Sequence, residues 1–197
     1  MESIWENIRK NLEGRFKTMS TPISVSAEYA IPCSEGFIVS DASWSAYVTS
    51  IPAQWFYELY QIHKTNLFPA YVRDNLGANT SDKIANEAIK QAAADDPRNL
   101  WVYNNGITCL VNDFMAMTWG KKQINVKGIA IINGIQTAMA IGNMKFPPDD
   151  KAKIQVRFVK CANEETEQRI VSFNNGHDKI SAADIRKSEA LQGRLLK

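Results

Sequence analysis

Three Asn-Gly pairs, at positions 105–106, 133–134 and 175–176, fall where a β-like or helical run ends. The chain carries 16 asparagines in 197 residues. Amide side chains donate and accept at fixed geometry, so they can read a base edge or orient a phosphate. Two of the pairs share a longer pattern, Asn105-Gly106-Ile107-Thr108 and Asn133-Gly134-Ile135-Gln136-Thr137. The second follows the apolar run Ile129–Ile132 and precedes a predicted helix from Gln136 to Asn143. A buried strand that turns through Asn-Gly into a helix leaves backbone N–H groups at the helix start. There Gly134 lets a ligand approach the backbone, and Gln136 and Thr137 add donors. Such a helix start suits phosphate or another anion, and the carboxyl end of a strand is where α/β sheets bind ligands. The competing reading is three unrelated turns, because Asn and Gly both tolerate positive φ.

Charged partners for an anion are few. Arg73, in Tyr71-Val72-Arg73-Asp74-Asn75, either supplies a fixed cation or pairs with Asp74 or a core carboxylate. Lys179, after Asn174-Asn175-Gly176, is either a ligand contact or a solvated lysine. Residues 151–197 hold 10 Lys and Arg against 6 Asp and Glu, a mild excess that reads first as a solvated face. Catalytic signals are weaker still. The two histidines, His63 and His177, lie far apart, and no HExxH, GxSxG or Walker-type glycine loop is present. His63, on an aromatic helix, reads as structural; His177, after a turn, is the more accessible. Asp74, Asp178 and Asp184 are the acids near these motifs, short of a convincing carboxylate pair.

The elements that must position these residues follow from periodicity. Overall composition is ordinary, with 45% apolar and 22% charged residues and a formal charge of +2, which argues against wholesale disorder and removes global charge as evidence for nucleic acid. No apolar run approaches the ~18 residues of a membrane span. The charged N-terminus is unlike a signal peptide. Cys33, Cys109 and Cys161, odd in number and without CxxC spacing, read as reduced thiols of a cytoplasmic protein. Ile4, Trp5, Ile8 and Leu12 predict an amphipathic helical arm over residues 1–22, docking on the body or on a partner. Alternation predicts strands at Ile23–Tyr29 and Gly36–Val39. Ser40 or Asp41 is then expected to cap a helix through Val48, and Ser50 before Pro52 to open a second. In that second helix Trp55, Phe56, Leu59 and Tyr60 form an aromatic face that reads as core ahead of a ligand platform.

Asn66 to Asn79 reads as irregular, and a helix runs from Thr80 or Ser81 to Pro97. Leu100–Tyr103 and Ile107–Val111 read as two strands joined in a hairpin at Asn104-Asn105-Gly106. On that strand Trp101 and Tyr103 cover the core ahead of stacking on bases. Strands at Lys127–Ile132 and around Ile154–Phe158 follow. Asn163 opens an acidic-fronted helix ending at Asn174-Asn175-Gly176, and Asp184 to Leu196 reads as helical. Alternating strands and helices give an α/β or α+β class with a mixed sheet and flanking helices.

Taken together, four segments resemble the AIPR family, the abortive-infection phage-resistance proteins. Leu67-Phe68-x-x-Tyr71-Val72-Arg73-x-x-Leu76-Gly77 is similar to its LFxxNVRxxLG. Trp101-x-Tyr103-Asn104-Asn105-Gly106-Ile107-Thr108 is similar to its FWxxNNGIT, and Ile132-Asn133-Gly134-Ile135-Gln136-Thr137 to its VNGxQT. Phe173-Asn174-Asn175 with Lys179-Ile180-Ser181 and Asp184-Ile185 is similar to its TNxQxxIxxxDL. Tyr71, Ile135 and the residues around His177 and Asp178 depart from the pattern. The turn at Asn133 also resembles the DGxHR turn of ParB/sulfiredoxin-like and DGQHR-type domains, with Asn133 and Thr137 where an acid and an arginine would stand.

The resemblance implies one AIPR-like domain over residues 23–197, continuing beyond the last residue, in a cytoplasmic antiphage defence protein. It would bind a nucleotide or nucleic acid through Arg73, Asn104, Asn105, Gly106, Thr108, Asn133, Gly134, Gln136, Thr137, Asn174, Asn175 and Lys179. Two alternatives stay open. One is a phosphodiesterase or nucleotide hydrolase, which alone would call for a divalent metal. The other is a protein-interaction scaffold, with a homo-oligomer or a partner domain engaged through the N-terminal helix. No cofactor and no membrane are expected.

Overall fold

Seven strands form one mixed sheet: β1 (Val25–Pro32), β2 (Phe37–Asp41), β3 (Trp44–Pro52), β4 (Ile107–Leu110), β5 (Asp113–Met117), β6 (Gln123–Asn133) and β7 (Lys153–Cys161). Their order is β1-β6-β4-β7-β3-β2, with β5 also paired to β6. The structure is a computed structural model and describes residues 23, 25–73, 80–117 and 122–176. The arm expected over residues 1–22 and the helix expected from Asp184 to Leu196 lie outside these. Helices flank the sheet: α1 (Ala53–His63), α2 (Ala70–Arg73), α3 (Thr80–Asp95), α4 (Leu100–Tyr103), α5 (Ile135–Gly142) and α6 (Glu164–Gly176), with a 3-10 turn at Lys64–Leu67 between α1 and α2. All pairings are antiparallel except β4 with β7, which run parallel. β7 alone joins β6–β4 to the β3–β2 hairpin in the hydrogen-bonded order.

Period-two alternation assigns each strand residue to a face. On the first face Ile154, Val156 and Phe158 of β7, Ile107 and Cys109 of β4, and Ile129 and Ile131 of β6 form one cluster with Phe56, Leu59 and Tyr60 of α1 and Ala138 and Ile141 of α5. α5 packs on both α1 and α3. The aromatic face of α1 is therefore core, each side chain contributing ~1.5–3 kcal/mol by burial. His63 is structural in the same sense: Tyr29 Oη lies 2.6 Å from its Nε2. On the second face Ala46, Leu110, Ile132 and Val159 pack under Val171 of α6. Ala130–Ile132 is buried on both sides, as its continuous apolar run predicts. All three cysteines are free, and no helix among the described residues is long and apolar enough to cross a membrane.

The structure corrects four expectations. Residues from Asp41 to Val48 form no helix; β2 and β3 are a hairpin. Asp41 Oδ1 accepts from Ala42 N at 2.6 Å, and a short acidic side chain serves a tight turn as readily as a helix start. Leu100–Tyr103 is the helix α4, not a strand, so Asn104-Asn105-Gly106 joins a helix to β4 and makes no hairpin. A four-residue apolar run carries too little period to separate the two forms. Trp101 and Tyr103 consequently do not cover the core: they are 45% and 64% exposed. Trp101 Nε1 donates to Ser50 Oγ (2.8 Å) and Tyr103 Oη to Asp96 Oδ2 (3.0 Å). The stretch from Asn66, expected to be irregular, includes the end of the 3-10 turn and α2.

Candidate functional site

The strand-to-helix turn at Asn133-Gly134 folds as its residues require. β6 ends at Asn133, Gly134 adopts φ 77°, and α5 starts at Ile135. Asn133 Oδ1 accepts from Gly134 N at 2.6 Å. Its other amide atom, Nδ2, donates to Asn174 Oδ1 (3.4 Å) on α6, and Asn174 Nδ2 donates to Ile170 O (2.8 Å). The first intrahelical bond runs from Ala138 N to Gly134 O (2.9 Å). The N-cap of α5 is Gly134, which has no side chain to cap it, so its first N–H groups have no acceptor within the helix and point along its axis.

The Asn104-Asn105-Gly106 turn meets this one back to back. A Cβ on Gly134 would stand 2.5 Å from Gly106 O, and a Cβ on Gly106, itself at φ 83°, would stand 2.7 Å from Gln155 O. Neither position has room for a side chain. Asn104 ties the turns together, donating from Nδ2 to Thr137 Oγ1 (2.8 Å) while its Oδ1 accepts from Gly106 N (2.8 Å). Thr108 lies opposite Asn133 in the β4–β6 ladder. Its hydroxyl accepts from Nε (3.1 Å) and Nη2 (2.7 Å) of Arg157, its register partner on β7.

Of the residues singled out from the sequence, Asn104, Gly106, Thr108, Asn133, Gly134, Thr137 and Asn174 are thus joined in one junction by hydrogen bonds, register or contact. Asn105 and Gln136 are exposed beside them, and Asn175 follows Asn174 in the last turn of α6. Arg73 is placed otherwise: at the end of α2, its Nη1 donates to Asn66 Oδ1 (2.9 Å). Lys179, His177, Asp74, Asp178 and Asp184 lie outside the described residues. Arg157 is the residue that sequence reading missed. The signal was the alternation of Lys153, Gln155 and Arg157 with Ile154, Val156 and Phe158, which marks an outward face but says nothing of what lies across it.

Chemically the junction offers hydrogen-bond donors and one guanidinium. Its amides are largely spent on each other, so the outward groups are the start of α5, Asn105 and Arg157. Arg157 faces Val48 on one neighbouring strand and Thr108 on the other, and it forms no ion pair among the described residues. At the other end of α6, burial and then the charge of Glu167 push the Cys161 thiol up to about 11, which keeps it protonated at neutral pH and a poor nucleophile. No group of three or more His, Cys, Asp or Glu that could hold a metal occurs among the described residues.

A family model described as AIPR protein matches residues 70–197. The match takes in both turns, β4 to β7 and α6, and leaves out β1–β3 and α1. No curated protein and no solved structure matches the chain.

Proposed function

Because the chain belongs to the AIPR family, the abortive-infection phage-resistance proteins, we propose that it serves antiphage defence by holding the phosphate of a nucleotide or nucleic acid where α5 begins. One observation carries this reading. Three amide-bearing segments, separated by dozens of residues, meet at a single strand-to-helix junction whose N-cap is a glycine. The likeness of this turn to the DGxHR turn of ParB/sulfiredoxin-like domains points the same way. Here the acid and arginine of that turn are replaced by Asn133 and Thr137, and Arg157 brings the positive charge from β7.

The magnitudes set the expected strength. Hydrogen bonds to a charged group contribute ~1.5–3 kcal/mol each, and a helix start adds ~0.3–1 kcal/mol. Two bonds and the helix start therefore give ~3.3–7 kcal/mol, a Kd between a few millimolar and about 10 μM for phosphate alone. At ligand twentyfold above Kd, linkage stabilises the fold by ~1.8 kcal/mol, or about 4–7 °C in Tm for a chain of this size.

A thermal-shift titration with inorganic phosphate and with ATP at low salt tests the reading. The wild-type chain is expected to rise by several degrees. Asn133→Asp keeps the acceptor for Gly134 N but sets a negative charge beside the anion, and it abolishes the rise. Equal shifts in both proteins, or none in either, would overturn the assignment.

A further inference from the structure

The register of the sheet continues sideways from the junction. Asn133 stands opposite Thr108, Thr108 beside Arg157, Arg157 opposite Val48, and Val48 opposite Phe37. The β4–β6 register shifts between Thr108 and Cys109 and skips Ile132, which breaks the alternation of β6 and brings Asn133 to the side of Asn174. Residues directly paired across strands share a face, so these five form one row on the second face, reaching from the turns to the free edge strand β2. Val171 of α6 packs on the adjoining row, on Ala46, Leu110 and Val159, while Phe37 is 61% exposed and Arg157 is exposed as well. With strands ~4.8 Å apart, the row is ~19 Å long and Arg157 stands ~10 Å from each end.

We infer that this row is a platform for single-stranded nucleic acid, its phosphodiester passing over Arg157 and the start of α5 and a base stacking on Phe37. The inference rests on the function proposed above and names the ligand class. The chemistry of the row selects it. Arg157 is a cation without an acidic neighbour across either strand, and Thr108 holds its guanidinium from two nitrogens, which fixes its plane over the sheet. An exposed aromatic ring two strands away takes any base, because every base has a flat face. At ~3.4 Å per stacked nucleotide the row matches about five or six nucleotides, more than a mononucleotide can cover. Phe37 and Val48 belong to the part of the chain outside the family match, so the aromatic end of the platform is a feature of this chain's own N-terminal hairpin.

The experiment is fluorescence anisotropy with a labelled eight-nucleotide oligothymidylate, run beside the ATP thermal shift on the full chain. Phe37→Ala, a change at an exposed position, is expected to weaken the oligonucleotide about tenfold and leave the ATP shift unchanged. Arg157→Gln weakens both ligands and lowers the salt slope by about 0.7, the share of one phosphate contact. Oligonucleotide affinity untouched by Phe37→Ala, with the ATP shift intact, overturns the platform and leaves the junction standing. No response to either ligand removes both. If Phe37→Ala instead abolishes self-association in sedimentation without changing oligonucleotide affinity, the edge is an interface between copies and the platform is overturned.

Discussion

On the first face of the sheet Ile154, Val156 and Phe158 of β7 have no exposed surface and meet the aromatic side of α1. On the second face their chain neighbours Gln155 and Arg157 look outward, and among the described residues α6 covers the stretch toward Cys161. The same strand thus closes one side entirely and leaves polar groups beside the amide junction on the other. The difference lies in the partners. α1, α3 and α5 stack into a continuous layer, whereas α6 is one helix laid on one end of the opposite surface. Stability and ligand chemistry are therefore separable along a single strand, residue by residue.

Substitutions can test that separation directly. Phe158→Ala empties a site with no exposed surface and should lower unfolding free energy by ~3–5 kcal/mol. Denaturant titration reads the loss, while the ATP shift per folded molecule stays the same; a changed ligand response would show that the faces are coupled. Gly134→Ala forces a side chain into φ 77° against the Gly106 carbonyl and should cost ~2–3 kcal/mol, with the ligand response lost as well because the turn itself moves. Asn104→Ala removes the bonds to Thr137 and Gly106 N and should cost ~1–2 kcal/mol by the same titration.

The smallest effect concerns Glu167. Burial, and then the nearby charge of Glu164, raise its carboxyl above the usual range, and its Oε1 is buried without a hydrogen-bond partner among the described residues. A carboxyl raised in the folded state gives most stability below its unfolded pKa and loses it as pH rises through the folded value. Glu167→Gln should therefore stabilise the protein at neutral pH by no more than ~1 kcal/mol, since the residue is only partly buried and solvent screens it. The gain should vanish on acidification below the ordinary glutamate range; a gain that persists there would assign it to packing.

Local chemistry made the Asn133 turn readable. A continuous apolar run, Asn-Gly, then an apolar helix follow one another in the chain, and no distant residue is needed to interpret them. Asn163 was legible for the same reason: its Oδ1 caps α6 through Thr166 N at 2.9 Å. The misread segments are those where local chemistry is shared between two outcomes. Asp41 bonds the next amide in a hairpin as it would at a helix start, and Leu100–Tyr103 is too short to show a period. β5 was not read at all, because Phe114–Met117 gains its form by pairing with β6. The convergence itself, and Arg157 with it, depends on register across three strands, β6, β4 and β7, which is set by the whole sheet and written in no single segment.

The position of β7 carries a consequence for synthesis. The hairpin of β2 and β3 emerges early, yet its inner edge has no hydrogen-bonding neighbour until residues 153–161 arrive. At about 5–20 residues per second, the roughly 100 residues between Pro52 and Lys153 take some 5–20 s to appear. Throughout that interval the nascent chain presents an open β-edge bordered by Tyr47 and Ile51, a surface prone to mispairing. A chaperone or the translation machinery itself would have to shield it, and slowing elongation between these two points should lower the yield of native protein.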